Sequence, residues 1–154
     1  MEIVEKKKFG LVKKIALAGF VLFVIGAVTA WFIFTQKFED TTKQEAAFIV
    51  NAMDFIKEFQ ASDSFANKKY AEKIITVNGS VSEIEAADTT INIKMIDTLT
   101  DAYIIFAFQN QHLAQAKLLK QGDSVSIKGS CSGGTYSEIL ETEYITFKRC
   151  AVIK

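Results

Sequence analysis

The side chains best suited to chemistry are few: Cys131 and Cys150, the single histidine His112, and two groups of carboxylates. Two cysteines can close a disulfide in an oxidising compartment or stay as two buried free thiols, and the residues alone leave both readings open. His112 follows Asn110 and Gln111 at the polar start of a helix. A metal centre needs three or four converging ligands, and one histidine with two distant cysteines does not supply them. Glu83, Glu85 and Asp88 gather near one turn, and Glu138, Glu141 and Glu143 near another. Paired carboxylates can do acid–base work, but groups like these usually form solvated edges or weak cation sites. The sequence has no Ser–His–Asp pattern, no phosphate-cradling glycine loop and no HExxH. The expectation is a non-catalytic protein with neither cofactor nor metal.

A chain of 154 residues allows one ordinary domain and an accessory segment. Hydrophobic residues make up 49% and charged residues 23%, which argues against disorder. The formal net charge is zero, but unevenly spread. Residues 1–14 carry five lysines against two glutamates, whereas residues 70–154 carry eight cations against ten acids. A globular part of that balance is poorly equipped for nonspecific phosphate binding, which relies on clustered Lys and Arg. No proline marks a boundary, so boundaries come from shifts in composition.

Ile15 to Phe34 is an uncharged run of 20 residues. As a helix it spans ~30 Å, the thickness of a bilayer core, and only a helix satisfies its backbone there. Trp31 falls at the outgoing end, where an indole suits the headgroup level. Val28-Thr29-Ala30 offers a small-residue cleavage pattern, but Trp31-Phe32-Ile33-Phe34 prolongs the apolar run past it, so an uncleaved anchor over residues 15–35 is expected. Lys6, Lys7, Lys8, Lys13 and Lys14 precede the span; Lys37 and Lys43 follow it among Glu39, Asp40 and Glu45. The lysine bias places residues 1–14 in the cytoplasm as a basic tail and the remainder outside it, in the periplasm for a bacterial inner membrane.

Residues 36–69 read as connecting amphipathic helices. Thr42-Lys43-Gln44-Glu45 fits a capping box, and Phe48, Ala52, Phe55, Ile56 and Phe59 then recur at spacings of three and four, predicting a helix over 43–61 with one apolar face on the domain that follows. Ser62 or Asp63 can cap a second helix through Tyr70, with Phe65, Ala66 and Tyr70 inward.

Residues 70–154 alternate as strands. Strand one spans 73–84, with Gly79 as a bend; strand two 90–96; strand three 102–108. A helix over 110–120 ends at Gly122, suited to a left-handed cap. Strand four spans 124–131, Ser132-Gly133-Gly134-Thr135 turns the chain, and strand five lies within 139–153, where Tyr144, Thr146 and Lys148 alternate with Ile145, Phe147 and Arg149. Three strands, a helix and two strands predict an all-β domain with helices: a five-stranded OB-fold Greek-key barrel behind an amphipathic helix and an N-terminal transmembrane helix. A plain antiparallel sandwich is the rival. In such a barrel strands four and five are neighbours, but a simple hairpin at Thr135 would set Cys131 opposite a residue near position 140, so pairing with Cys150 requires a bulge or longer turn. OB folds hold single strands on the face of strands two and three with cations and stacking aromatics. Asn92, Lys94 and Tyr103 are the candidates there, a thin set for nucleic acid.

Asn67-Lys68-Lys69-Tyr70, Ile75-x-Val77-x-Gly79-x-Val81, Leu118-Leu119-Lys120-Gln121-Gly122-Asp123-Ser124-Val125, Lys128-Gly129-x-Cys131-x-Gly133 and Cys150-Ala151-Val152-Ile153, in that order, resemble the tRNA_anti-like OB-fold proteins. These are small bacterial proteins, often with an N-terminal hydrophobic segment and common in the Bacteroidetes. The resemblance covers residues 44–154 and implies an OB barrel; it implies little about activity, because the family name records a likeness to nucleic-acid binders. The stretch between Cys131 and Cys150 is longer than the family's usual hairpin, and Ile104-Ile105-Phe106-Ala107-Phe108 lacks the cysteine many members carry there. The resulting expectation is a membrane-anchored, extracytoplasmic binding or scaffold module for a protein or oligomeric ligand. The alternative is single-stranded nucleic-acid or oligosaccharide binding on strands two and three.

Overall fold

The structure is a computed structural model. It describes residues 3–35 and 39–153, and for residues 3–9, 11 and 12 the backbone alone. Lys37 and the side chains of Lys6, Lys7 and Lys8 therefore lie outside the described residues. The chain divides into two compact units, residues 1–38 and the remainder from Glu39.

The first unit is helix α1, Ile3–Thr35, which continues back through most of the basic tail. Within it Lys13–Thr35, 23 residues containing an 18-residue window of mean hydropathy 2.4, is long and apolar enough to cross a membrane by length and composition. Thr29 Oγ1 donates to the Ile25 carbonyl at 2.7 Å, so the one hydroxyl in the middle of this stretch is satisfied without water.

The second unit starts with a 3₁₀ turn, Thr41–Lys43, capped by Asp40. The capping box and the long helix expected from position 43 do not form. Phe48–Asn51 is instead strand β1, and helix α2 spans only Ala52–Ala61. Phe48-Ile49-Val50 fits a strand as well as a helical stripe, and the open edge of β2 (Ile74–Ser80) decides between them: Phe48 pairs in parallel with Ile75, and Asn51 with Asn78. Asn51 then caps α2, its side chain accepting the Met53 N–H at 3.0 Å. Ala52, Phe55, Ile56 and Phe59 do share the buried face. Ser62 caps α3, Asp63–Tyr70, which buries Ala66 and Tyr70; Phe65, expected inward, is exposed.

The expected first strand breaks at Val81-Ser82 into β2 and β3 (Glu83–Ala86), just past Gly79, whose missing side chain leaves room for Met95 and Ala52. β4 is Ile91–Ile96 and β5 Tyr103–Phe108. The next helix shrinks to a turn, Asn110–His112, and one short helix, α4, Leu113–Ala116, after which Leu118 and Leu119 make tighter i→i−3 bonds. Gly122, at φ 92°, closes this connection in the left-handed region. β6 runs from Ser124 to Ser137 and β7 from Thr142 to Ile153. The expected turn at Ser132–Thr135 is thus inside β6, and the chain reverses only after Ser137.

The strands form one seven-stranded mixed sheet of order β1-β2-β6-β7-β5-β4-β3, parallel at β1–β2 and β5–β7 and antiparallel elsewhere. The architecture is OB-like, but the expected five-stranded closed barrel is corrected. The ladder ends at β3 on one side and β1 on the other, and the link between β2 and β3 is the two-residue chain Val81-Ser82 rather than a row of hydrogen bonds. Inside, Phe55 of α2 packs on Phe59 (5.1 Å between ring centroids), Tyr70 (4.8 Å) and Phe147 of β7 (5.8 Å), and Phe147 on Phe106 of β5 (5.1 Å). α2 therefore packs its buried face on the inner side of the sheet.

Candidate functional site

On the outer face, strand alternation sets Asn92 and Lys94 of β4, Tyr103 of β5 and Tyr144 of β7 on one side of the sheet, all half-buried. Tyr103 lies directly opposite Tyr144 in the parallel β5–β7 pair. Their rings are 5.9 Å apart and 18° from parallel, a geometry that favours offset stacking. Lys94 Nζ sits 5.3 Å from the Tyr103 ring centroid and pairs with Glu83, at 3.4 Å, and with Glu85 across the β3–β4 hairpin. Hydrogen bonding to Glu85 leads the causes that raise the Lys94 pKa, and the same contact lowers that of Glu85. Of the three residues expected on this face, Lys94 and Tyr103 do meet, but the lysine is committed to two carboxylates and the ring already has neighbours. Asn92 faces Glu85 on one side and Ala107 on the other.

The open surface lies one strand further, around residues that sequence reasoning did not select. Tyr144, Thr146 and Lys148 of β7 line a cleft of about 270 Å³ with Gly133, Thr135 and Asn67. Its floor is the Gly133-Gly134 step of β6, where the register shifts between Cys131 and Gly133. Gly133 has φ 104°, and a Cβ there would stand 2.5 Å from Asn67 Oδ1; one on Gly134 would stand 2.5 Å from Phe59 Cδ1. Only glycines allow this close approach. Asn67 of α3 holds the step as a strand partner would: Nδ2 donates to the Gly134 carbonyl at 2.8 Å and Oδ1 accepts its N–H at 2.9 Å. Tyr144-x-Thr146-x-Lys148 was readable as one face of a strand; its place beside Tyr103 follows from a parallel pairing no local pattern announces.

The remaining candidates have structural roles. Cys131 and Cys150 are buried free thiols, and no disulfide joins them. The β6 register puts Cys131 opposite Phe147, while Cys150 lies opposite Phe108 of β5, its Sγ filling the space a Gly129 side chain would need. Burial pushes the Cys131 thiol up to about 11 and that of Cys150 well above its ordinary value, so both are poor nucleophiles at neutral pH. His112 is buried, its Nε2 2.8 Å from Asp40 Oδ1. The same carboxylate accepts from the Thr42 backbone N–H at 3.0 Å and the Thr42 hydroxyl at 2.8 Å; the backbone bond first, and then His112, hold Asp40 down at about 2. The histidine is a clasp fixing the start of this unit. Among the described residues no group of three or more His, Cys, Asp or Glu could hold a metal ion.

A mixed seven-stranded sheet of this order with helices packed on it defines an OB-like fold. The chain belongs to the tRNA_anti-like family, whose match spans residues 6–142. No curated protein matches it. A lipoprotein from Klebsiella pneumoniae subsp. pneumoniae, provisionally named as nucleic acid-binding, shares the fold at a TM-score of 0.56 and 20% identity, over 77% of this chain and all of that one. Asparaginyl-tRNA synthetase from Pyrococcus horikoshii aligns at a TM-score of 0.38 and 17% identity, over 56% of this chain and 21% of the enzyme.

Proposed function

We propose that this protein is a non-catalytic binding module, held at a membrane by α1, which receives an extended oligomer along the β5–β7 face. One observation carries the reading: a stacked tyrosine pair, Tyr103–Tyr144, borders an open cleft floored by two glycines. Ring faces and hydroxyls with little net charge suit an oligosaccharide, because Lys94 is neutralised by Glu83 and Glu85 and leaves Lys148 as the cleft's one lysine. OB folds bind oligosaccharides as well as nucleic acid on the face of strands two and three, β4 and β5 here, and the proposed face adjoins it through Tyr103 of β5. The test is calorimetry on the full chain with an N-acetylglucosamine hexamer and a thymidine 12-mer. Tyr144→Ala is expected to weaken binding of the preferred oligomer about tenfold or more, the scale of one lost ring contact. An unchanged affinity sinks the assignment.

Single-stranded nucleic acid is the second reading, favoured by exposed Lys148 in the same cleft as Tyr144 and by the name of the Klebsiella protein. It requires an affinity that falls steeply as salt rises, whereas saccharide binding stays nearly flat.

The lysine-rich start of the chain orients the anchor with residues 1–14 in the cytoplasm and the sheet outside, in the periplasm if the membrane is a bacterial inner one. Protease added to spheroplasts is expected to digest the unit from Glu39 onward. Its protection in intact spheroplasts, with digestion only after lysis, contradicts this orientation.

A further inference from the structure

Away from the Tyr144 face, the end of α2, the loop after β4 and the β6–β7 turn meet around a second cleft of about 300 Å³. Gln60 Nε2 donates to Thr100 Oγ1 at 2.8 Å in its wall. Deeper in the wall are Thr142 and Glu143, each only 8% exposed. Thr142 Oγ1 and Glu143 Oε1 are fully covered by the protein and have no hydrogen-bond partner. Burial first, and then the negative charge of Asp63, raise the Glu143 pKa. A carboxylate oxygen taken from water without a donor is costly, so the site lacks a positively charged donor.

The surroundings narrow what that donor is. Three acidic, histidine or cysteine ligands for a metal do not converge among the described residues, and acceptor oxygens match N–H groups. Tyr136, which lines the cleft, is 54% exposed and offers a ring face to a cation. The loops that bound the cleft also expose large apolar side chains: Leu99 is 91% exposed, Ile139 94% and Leu140 59%. Exposed aliphatic groups around one buried acid are the complement of a basic side chain flanked by apolar ones.

We propose that this cleft is a docking socket for a partner polypeptide: one lysine or arginine side chain enters it to pair with the Glu143 carboxylate in its wall, and apolar neighbours of that residue cover Leu99, Ile139 and Leu140. The socket is separate from the Tyr144 cleft, so a protein and an oligomer can be held at once. An acid at its base repels phosphates, which assigns it to a protein partner rather than a nucleic acid.

The test is amide NMR of the full chain in detergent micelles, titrated with the capped tripeptide Leu-Arg-Leu and its uncharged counterpart Leu-Gln-Leu. The arginine peptide is expected to shift the amides of Thr100, Tyr136, Thr142 and Glu143, and to bind at least about tenfold more tightly than the glutamine peptide. Glu143→Gln, nearly isosteric, is expected to remove that preference while raising the melting temperature at pH 8 by about 2–4 °C, because it deletes an unpaired buried charge. Equal binding of the two peptides, shifts confined to other residues, a preference that survives Glu143→Gln, or a lowered melting temperature each overturns the proposal. So does calcium chloride alone reproducing the arginine peptide's shifts, which would make the cleft a metal site.

Discussion

Replacing Phe55 with alanine is expected to destabilise the second unit by about 3–5 kcal/mol, the usual cost of removing a fully buried phenyl ring. Phe55 is 1% exposed and touches the rings of Phe59, Tyr70 and Phe147, so it joins α2, α3 and β7 at one point. Rigid secondary structure surrounds it, which limits how far the hole can collapse. Phe55→Leu keeps most of the volume and is expected to cost distinctly less, about 1–1.5 kcal/mol. Urea unfolding of the full chain in micelles, followed through the tyrosine near-ultraviolet signal, separates the two, since the only tryptophan, Trp31, belongs to α1. A loss below about 1 kcal/mol for Phe55→Ala would mean that α2 does not plug the sheet.

Asn67→Ala carries the second large effect, about 2–4 kcal/mol, because both of its hydrogen bonds go to one residue, Gly134, in the interior of β6. Alanine leaves the Gly134 N–H and C=O without partners where β6 departs from regular pairing with β7. Asn67→Asp retains the acceptor and loses the donor, so it is expected to cost roughly half as much. Hydrogen exchange gives the local readout: the Gly134 amide loses protection in the alanine variant and keeps most of it in the aspartate variant. The same substitution removes one wall of the Tyr144 cleft, which links the stability of the glycine step to ligand binding.

The parts of this fold that could be read in advance are those where local pattern and tertiary demand agree. Ile91, Ile93 and Met95 alternate with Asn92 and Lys94, and all three apolar residues are buried. Ala52, Phe55, Ile56 and Phe59 keep helical spacing and form the buried face of α2. Where two periods fit the same letters, the sheet decided. Phe48-Ile49-Val50 completes a helical stripe on paper, but it lies beside the open edge of β2 and pairs there. Gly133-Gly134 carries a strong turn signal, yet it continues β6, since Asn67 supplies the hydrogen bonds and Phe59 occupies the space that side chains would need.

The candidate site follows the same division. Lys94 and Tyr103 were recognisable as near neighbours on adjacent strands. That Lys94 is held by Glu83 and Glu85 depends on the β3–β4 register. That Tyr144 stands beside Tyr103 depends on β7 lying parallel to β5 across more than thirty residues of intervening chain, a contact no periodicity reports. The cysteines show the effect of register most directly. The β6–β7 reversal after Ser137, with one register shift between Cys131 and Gly133, leaves Cys131 opposite Phe147, three residues short of Cys150.

If ligand meets this protein on the β5–β7 face, amide chemical-shift mapping of the full chain with the N-acetylglucosamine hexamer will locate it there. Shifts are expected to concentrate at Tyr144, Thr146, Lys148, Gly133 and Thr135 and to vanish in Tyr144→Ala. Shifts centred instead on the larger cleft formed by Asn51, Asn78, Ser80, Ser124 and Ser126, and unaffected by Tyr144→Ala, would contradict binding on the β5–β7 face.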